Sequence, residues 1–389
     1  MPTAPAPSSS FARHVATFIV FGSVGTTLFT RQPALQAEFQ LSPSDWGWCL
    51  LAFGAGGVSA YPATRWMLLH HGSRVLMAVF GGLLGASLAL LPWWPGGVVT
   101  LLVALFFQGL LGSGVNVAIN NQAACFEART GLFCMGRLHA LFFIGVTGGA
   151  LIGSAAVAAD LSARQHFGIV GLAIAAAFVW LARGMATDRI AAPSGGGWHK
   201  PSRAVVGLGA LGCFAAMVDS GINGWAPLFL HEVVGASPSV ASLGLAAYCA
   251  AMFTGRMLTD TNIERFGPRR LVRLGAVLSA TSLLALLLMP SVPMALIALV
   301  LVGLGQAAVF PILFSAAGRL GGASISGVAT LASTGALIGP ALLGRIAALA
   351  STSAVFAGVA GAVVLLGWRA GVLPAQAVRP QPAADPIGA

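Results

Sequence analysis

Gly149-Ala150-Leu151-Ile152-Gly153 and Gly335-Ala336-Leu337-Ile338-Gly339 are the same five residues, 186 positions apart in a chain of 389. Other phrases return at nearly the same interval. Ser42-Pro43-Ser44 comes back as Ser237-Pro238-Ser239, an offset of 195. Arg31-Gln32-Pro33-Ala34-Leu35 is echoed by Trp225-Ala226-Pro227-Leu228, and His71-Gly72-Ser73-Arg74 by Phe266-Gly267-Pro268-Arg269. The order of the echoes is the same in both halves. The chain reads as two parallel copies of one unit.

Composition says what kind of unit. Charged residues are 8% of the chain and hydrophobic ones 57%, against about 25% charged in an ordinary soluble domain. Too few charges are present to cover a soluble surface, and the mean hydropathy is +0.88. Windows of about 20 nearly uncharged residues recur, long enough to cross about 30 Å of hydrocarbon. The 51 glycines suit membrane helices, where small residues let backbones approach closely. The net charge of +10 sits mostly in alternate loops, with no basic run interleaved with aromatics, so nucleic acid is excluded as a partner. Cys49, Cys125, Cys134, Cys213 and Cys249 lie in or beside apolar spans without paired spacing, and read as packing residues with no disulfide and no metal site.

Twelve apolar stretches can be marked, at about 14–36, 45–68, 75–93, 98–124, 137–159, 166–183, 204–229, 239–260, 271–290, 293–317, 325–349 and 353–371. The predicted fold is an all-α membrane protein of twelve transmembrane helices in two pseudo-symmetric six-helix bundles. Residues 1–13 form a cytoplasmic N-terminal segment without a cleavage site, so the first helix is retained. The bundles cover 14–183 and 204–371, joined by a cytoplasmic linker at 184–203 with Arg189, Lys200 and Arg203; a disordered cytoplasmic tail follows at 372–389. Arg74, Arg129, Arg137, Arg265, Arg269, Arg270, Arg273 and Arg319 fall on the linker's side, so both termini are expected in the cytoplasm of a cell whose inner membrane holds the chain. Trp46, Trp48, Trp93 and Trp94 fall near the outer helix ends, where amphipathic rings favour the interface, and Trp198 in the linker reads as a contact with the inner leaflet. Parallel repeats of this kind are the plan of many secondary transporters.

Twelve spans in 6+6 form, a basic linker and Glu264-Arg265-Phe266-Gly267-Pro268-Arg269-Arg270 between spans eight and nine resemble the major facilitator superfamily. The loop is similar to that family's Asp-Arg-x-Gly-Arg-Arg gating motif, with Glu264 at the acidic position. Its copy after span two, Leu69-His70-His71-Gly72-Ser73-Arg74, carries Leu69 where the acid belongs. Gly335 to Pro340 resembles the family's Gly/Pro-rich packing pattern. Asn116-Val117-Ala118-Ile119-Asn120, Leu138-His139 and Asp219-Ser220-Gly221 ahead of Trp225 resemble the fucose-permease-like branch and its uncharacterised bacterial inner-membrane relatives. The resemblance implies alternating access between two rocking bundles. The resembled sugar permeases carry acids in spans one and four, where this chain has Gly25 and amides, so their coupling residues do not carry over.

Asp219 alone among the ten acidic residues falls near the middle of an apolar span. A carboxylate there costs at least about 2.5–3.5 kcal/mol, which makes it a proton-coupling or substrate-binding candidate. The structural alternative is a protonated acid hydrogen-bonded to Asn223, one turn away. Gln108, Gly112, Asn116 and Asn120 recur in steps of four along one face of span four, continued by Asn121 and Gln122. Amides both donate and accept, which suits neutral polar solutes such as sugars, although one amide can also simply tie helices together. Arg31 either snorkels or clamps an anion. Trp225, Tyr248 and Gln306 lie on spans that line the pathway in the resembled family. His139 can titrate or hold a structural hydrogen bond. Arg256, Asp260 and Glu264 follow one another at helical spacing. With Gly267, Arg269, Arg270, Gly72 and Arg74 they read either as an inner gate or as plain topological charge.

By the 194-residue offset Asp219 corresponds to Gly25, Trp225 to Arg31, and Asn116 and Asn120 to Phe310 and Phe314. The halves agree in frame and differ in chemistry. The expected function is a secondary transporter of a small polar solute, coupled to H⁺, working as a monomer in the bilayer. Efflux of lipophilic compounds is an alternative, and a receptor or scaffold that kept the fold is another. No Walker motif, His/Glu metal pair or Ser-His-Asp grouping is present, so no enzyme, cofactor or metal is expected.

Overall fold

The computed structural model describes residues 7–31, 34–35, 38–41, 43–93, 97–188, 202–236 and 238–376. Arg189, Trp198 and Lys200 of the linker, Trp94, and the tail from 377 onward lie outside them. The described residues form helices α1 (Pro7–Thr30), α2 (Pro43–Ser59), α3 (Tyr61–Leu90), α4 (Val98–Thr130), α5 (Met135–Ala158), α6 (Ala163–Arg183), α7 (Arg203–Glu232), α8 (Pro238–Phe266), α9 (Pro268–Leu288), α10 (Val292–Gln306), α11 (Val309–Arg319), α12 (Gly322–Leu349) and α13 (Thr352–Arg369). No strand is found among them.

Helix and span are not the same thing in two places. Helix α3 turns sharply at Gly72, whose φ of 79° and ψ of 169° are non-helical, so α2 with the start of α3 is span two and the rest of α3 is span three. Span ten is α10 plus α11; Pro311 has no N–H to offer the Ala307 carbonyl, and the helix breaks just before it. Nine stretches of the described residues are long and apolar enough to cross a membrane, one of them, Trp48–Trp93, holding two spans. With α1 and α8 this makes the twelve spans read from the sequence. Polar caps set several ends: Ser162 and Gln165 form a capping box at α6, and Ser202 and Ser351 accept from Val205 N and Ala354 N.

The chain divides into two compact units. One comprises Met1–Phe126, Leu141–His199 and Gly321–Ser326, and the other Glu127–Ala140, Lys200–Leu320 and Gly327–Ala389. Inside each, glycines bring backbones into contact. A Cβ at Gly145 would lie 1.9 Å from the Ile19 carbonyl oxygen, and one at Gly149 2.7 Å from that of Ser23, so α5 lies against α1. In the other unit a Cβ at Gly335 would lie 2.1 Å from the Cys213 oxygen and one at Gly339 3.3 Å from Met217 Cα, so α12 lies against α7. Ile19 and Ser23 plus 194 are Cys213 and Met217. The equivalent glycines are therefore Gly145 with Gly335 and Gly149 with Gly339, an offset of 190. The verbatim repeat of five residues is out of structural register by one helical turn, because any small residue at i and i+4 makes the same close approach.

Candidate functional site

In the second unit Asp219 lies at the middle of α7, and its carboxylate is held from two sides. Tyr248 Oη of α8 donates to Oδ1 at 2.7 Å, and Asn223 Nδ2 donates to the same oxygen at 3.2 Å and to the Asp219 carbonyl at 2.8 Å. Tyr248 is buried, whereas Asp219 is half-buried and Asn223 and Gly224 are exposed at the surface of the unit. A Cβ at Gly224 would meet nothing within 4 Å. The expected bond to Asn223 is present. The Tyr248 bond joins residues 29 apart on different helices and leaves no local signature. Trp225 is half-buried, within 3.9 Å of a Cβ placed at Gly344.

Arg256, two turns beyond Tyr248, is 5% exposed and within electrostatic reach of Asp219 and Tyr248. His139 stacks on Phe314 at 5.6 Å and 14° and lies within reach of the same guanidinium. Gln306 donates to Ser279 Oγ at 3.1 Å, tying α10 to α9.

The start of α5 carries an arrangement the sequence did not suggest. Glu127 Oε1 accepts from the backbone N–H of Cys134 at 2.8 Å and of Met135 at 2.9 Å, while Ser315 Oγ donates to Oε2 at 2.7 Å. Asp260 Oδ1 accepts from Gly136 N at 2.9 Å, and Oδ2 from Arg137 N and Nε, both at 3.2 Å. Four successive amides at a helix N-terminus, groups with no partner inside the helix, are thus taken by two buried carboxylates. Asp260 pairs here with Arg137, where helical spacing alone suggested Arg256. Glu264 and Arg270 are exposed.

In the first unit the amide stripe divides. Gln108 donates to Leu84 O at 3.4 Å and Ser87 Oγ at 3.1 Å, tying α4 to α3. Asn120 donates to Asn116 O at 2.8 Å and Oδ1 at 2.9 Å. Asn116 is half-buried, and a Cβ at Gly112 would meet nothing within 4 Å, so those two positions keep an open flank. Arg31 is buried and donates to the Leu161 carbonyl, closing the end of span one onto the α5–α6 connection.

The two turns at Gly72 and Gly267 are built alike. Both glycines have positive φ, 79° and 76°, and each lies under the chain leaving the last span of its own half. A Cβ at Gly72 would lie 2.8 Å from Asp188 O, and one at Gly267 2.4 Å from Ala375 O. Any side chain there is excluded by both conformation and space. At Gly267, Arg269 N donates to Pro374 O at 3.3 Å and Arg269 Nε to Leu373 O at 2.8 Å. At Gly72 a carboxylate does the holding: Asp188 accepts from Ser73 N at 3.0 Å, from Gln122 Nε2 at 3.2 Å, and from Ser73 Oγ and Asn121 Nδ2. The acid absent at Leu69 has a counterpart from beyond α6.

Burial raises the Asp188 carboxyl above its ordinary range, against the opposing hydrogen bonds from Ser73 and Arg74. A raised acid favours the fold most when protonated. Its contribution is full below the ordinary carboxylate value and is lost as pH rises through the raised one. The stability of the wild type relative to Asp188→Asn, read by thermal unfolding in detergent, should therefore fall as pH rises from about 4. A difference that grows with pH would contradict this.

Twelve apolar spans in two similarly built halves define a multi-pass membrane protein. The chain belongs to the Major Facilitator Superfamily: the model of that family matches residues 14–317 and 208–387. An uncharacterised transporter, y4wD, of Sinorhizobium fredii is 28% identical over 307 residues, 78% of this chain and 80% of that protein. Membrane protein MosC of Rhizobium meliloti is 25% identical over 312 residues, 78% and 74% of the two chains. Among solved structures, FucP in its outward conformation superposes with a TM-score of 0.76 at 18% identity, covering 93% of this chain and 97% of that one. The human organic anion transporter MFSD10 superposes with a TM-score of 0.73 at 16% identity, covering 94% and 100%. At these identities the structures show the shared fold.

Proposed function

We propose that the protein is a proton-coupled secondary transporter of a small polar solute, a sugar or related metabolite, working by alternating access as a monomer in the inner membrane with both termini in the cytoplasm. The observation that carries this reading is Asp219 at mid-span, hydrogen-bonded to Tyr248 and Asn223 and only half-buried on its unit. Ionisable groups within spans almost always face a bundle interior or a water-filled cavity. Asn116 beside the open flank at Gly112 supplies both donors and acceptors, as a neutral hydroxylated solute requires. Arg31, with its guanidinium on Leu161, favours a neutral solute over an anion. The fold neighbours include the fucose:proton symporter of E. coli, in keeping with this class.

Purified protein in proteoliposomes, alkaline inside, tests the proposal against a panel of neutral monosaccharides, sugar acids and lipophilic cations. Uptake of a neutral polar solute that dissipates the pH gradient is the expected result. Movement of lipophilic cations alone would replace it with efflux, and a gradient untouched by every solute would favour a scaffold.

A further inference from the structure

Span two is longer than the membrane it crosses. From Pro43 to His71 it has 29 residues, about 43 Å of helix against about 30 Å of hydrocarbon, so its far end stands among headgroups. Two of its tryptophans mark the limits. Trp48 is 61% and Trp66 52% exposed, and eighteen residues, about 27 Å of helix, separate them. That is the spacing of two interfacial aromatic belts.

Around Trp66 the surface is more than a belt position. Tyr61, Pro62, Arg65, Trp66, Leu69 and His70 line a groove along one face of the helix, at spacings of three and four. The Trp66 ring stacks on His70 at 5.0 Å and 26°, and meets His71 at 5.2 Å. His70 Nδ1 lies 2.8 Å from the Trp66 carbonyl; a carbonyl only accepts, so Nδ1 carries the proton and Nε2 is left for another partner. Residues 61–74 hold Arg65, Arg74 and two histidines and no acid, and the carboxylate of Asp188 is turned to Ser73, Asn121 and Gln122.

We propose that this groove binds an anionic phospholipid headgroup, with Arg65 as the donor to its phosphate, His70 Nε2 as the acceptor for a headgroup hydroxyl, Trp66 as the platform and Tyr61, Pro62 and Leu69 against the glycerol and upper acyl chain. A freely diffusing phosphate would need no such apolar wall beside it at membrane depth. The site concerns span two alone and stands whether or not the solute proposed above is correct.

Native mass spectrometry of the purified full chain, titrated with phosphatidylglycerol or phosphatidylcholine of identical acyl chains, tests it. The wild type should hold its first phosphatidylglycerol at least about fivefold better than phosphatidylcholine, the effect of one basic group near an anionic headgroup. The double variant Arg65→Gln/His70→Gln should lose that preference, and each single variant should show part of it. Arg129→Gln, which removes an exposed charge outside the groove, should keep it. Retention of the preference in the double variant, an equal loss in Arg129→Gln, or displacement of the lipid by millimolar glycerol phosphate would each overturn the assignment.

Discussion

Asp219→Asn should leave the protein folded and abolish pH-driven uptake, by about a hundredfold or more. The substitution keeps the shape of the side chain. Its Oδ1 still accepts from Tyr248 and Asn223, so the 2.7 Å and 3.2 Å contacts survive. What goes is the charge and the proton. Losing the carboxylate relieves the cost of a mid-membrane charge, about 2.5–3.5 kcal/mol on the insertion scale, and gives up its attraction to the buried Arg256, so the melting temperature should change little. Solute counterflow, which needs binding but no gradient, separates the two roles open to Asp219. If counterflow persists while gradient-driven uptake is lost, Asp219 carries the proton; if both are lost, it binds the solute. Tyr248→Phe is the graded companion. It deletes a hydrogen bond to a charged group, worth about 1.5–3 kcal/mol, and should cost roughly tenfold or more in transport. Full pH-driven uptake and unchanged affinity in Asp219→Asn would refute both roles.

The parts of this molecule that were legible in the sequence are those written in local pattern. Span lengths follow from hydropathy, the two-fold plan from repeated phrases, and Asp219 from its isolation in an apolar run. Gly72 and Gly267 were singled out by motif, and the structure adds why each must be glycine: positive φ with a backbone oxygen overhead. Pairing across helices was not legible. Nothing near Asp219 in sequence points to Tyr248, and nothing near Leu69 points to Asp188, because the chain returns to those places only after folding. The amide stripe shows the limit from the other direction. Helical spacing put Gln108 and Asn120 on one face, yet spacing does not say whether a face meets a neighbour or an opening. Gln108 is taken by α3, while Asn116 keeps an open flank. The five-residue repeat misled by one turn for the same reason, since identity of residues and identity of contacts are separate facts.

No motif in the sequence gives Glu127 a task, and the helix start it holds together with Asp260 leads to the second large effect. Asp260→Ala should lower the melting temperature by about 10 °C and reduce transport at least tenfold. The loss leaves the buried Gly136 N and the part-buried Arg137 N without acceptors at the helix start. A buried amide left unsatisfied costs about 1–3 kcal/mol, and the part-buried Arg137 amide adds less than that. The Arg137 ion pair adds little, because that side chain is 44% exposed and solvent screens it. The isosteres divide geometry from charge. Glu127→Gln keeps one oxygen for Cys134 N and Met135 N, and its amide can donate to Ser315 Oγ. It gives up only the attraction between a carboxylate and the helix N-terminus, about 0.3–1 kcal/mol and up to about 2 when partly buried. Glu127→Gln should therefore be far milder than Glu127→Ala, and Asp260→Asn milder than Asp260→Ala. Gly136→Ala is an independent probe of the same contact, because its Cβ would lie 2.7 Å from Asp260 Oδ1 and push that carboxylate off the amides. If Gly136→Ala and Asp260→Ala each leave thermal stability unchanged, the two carboxylates do not hold this helix. If Glu127→Gln is as damaging as Glu127→Ala, charge and not hydrogen-bond geometry is what the start of α5 requires.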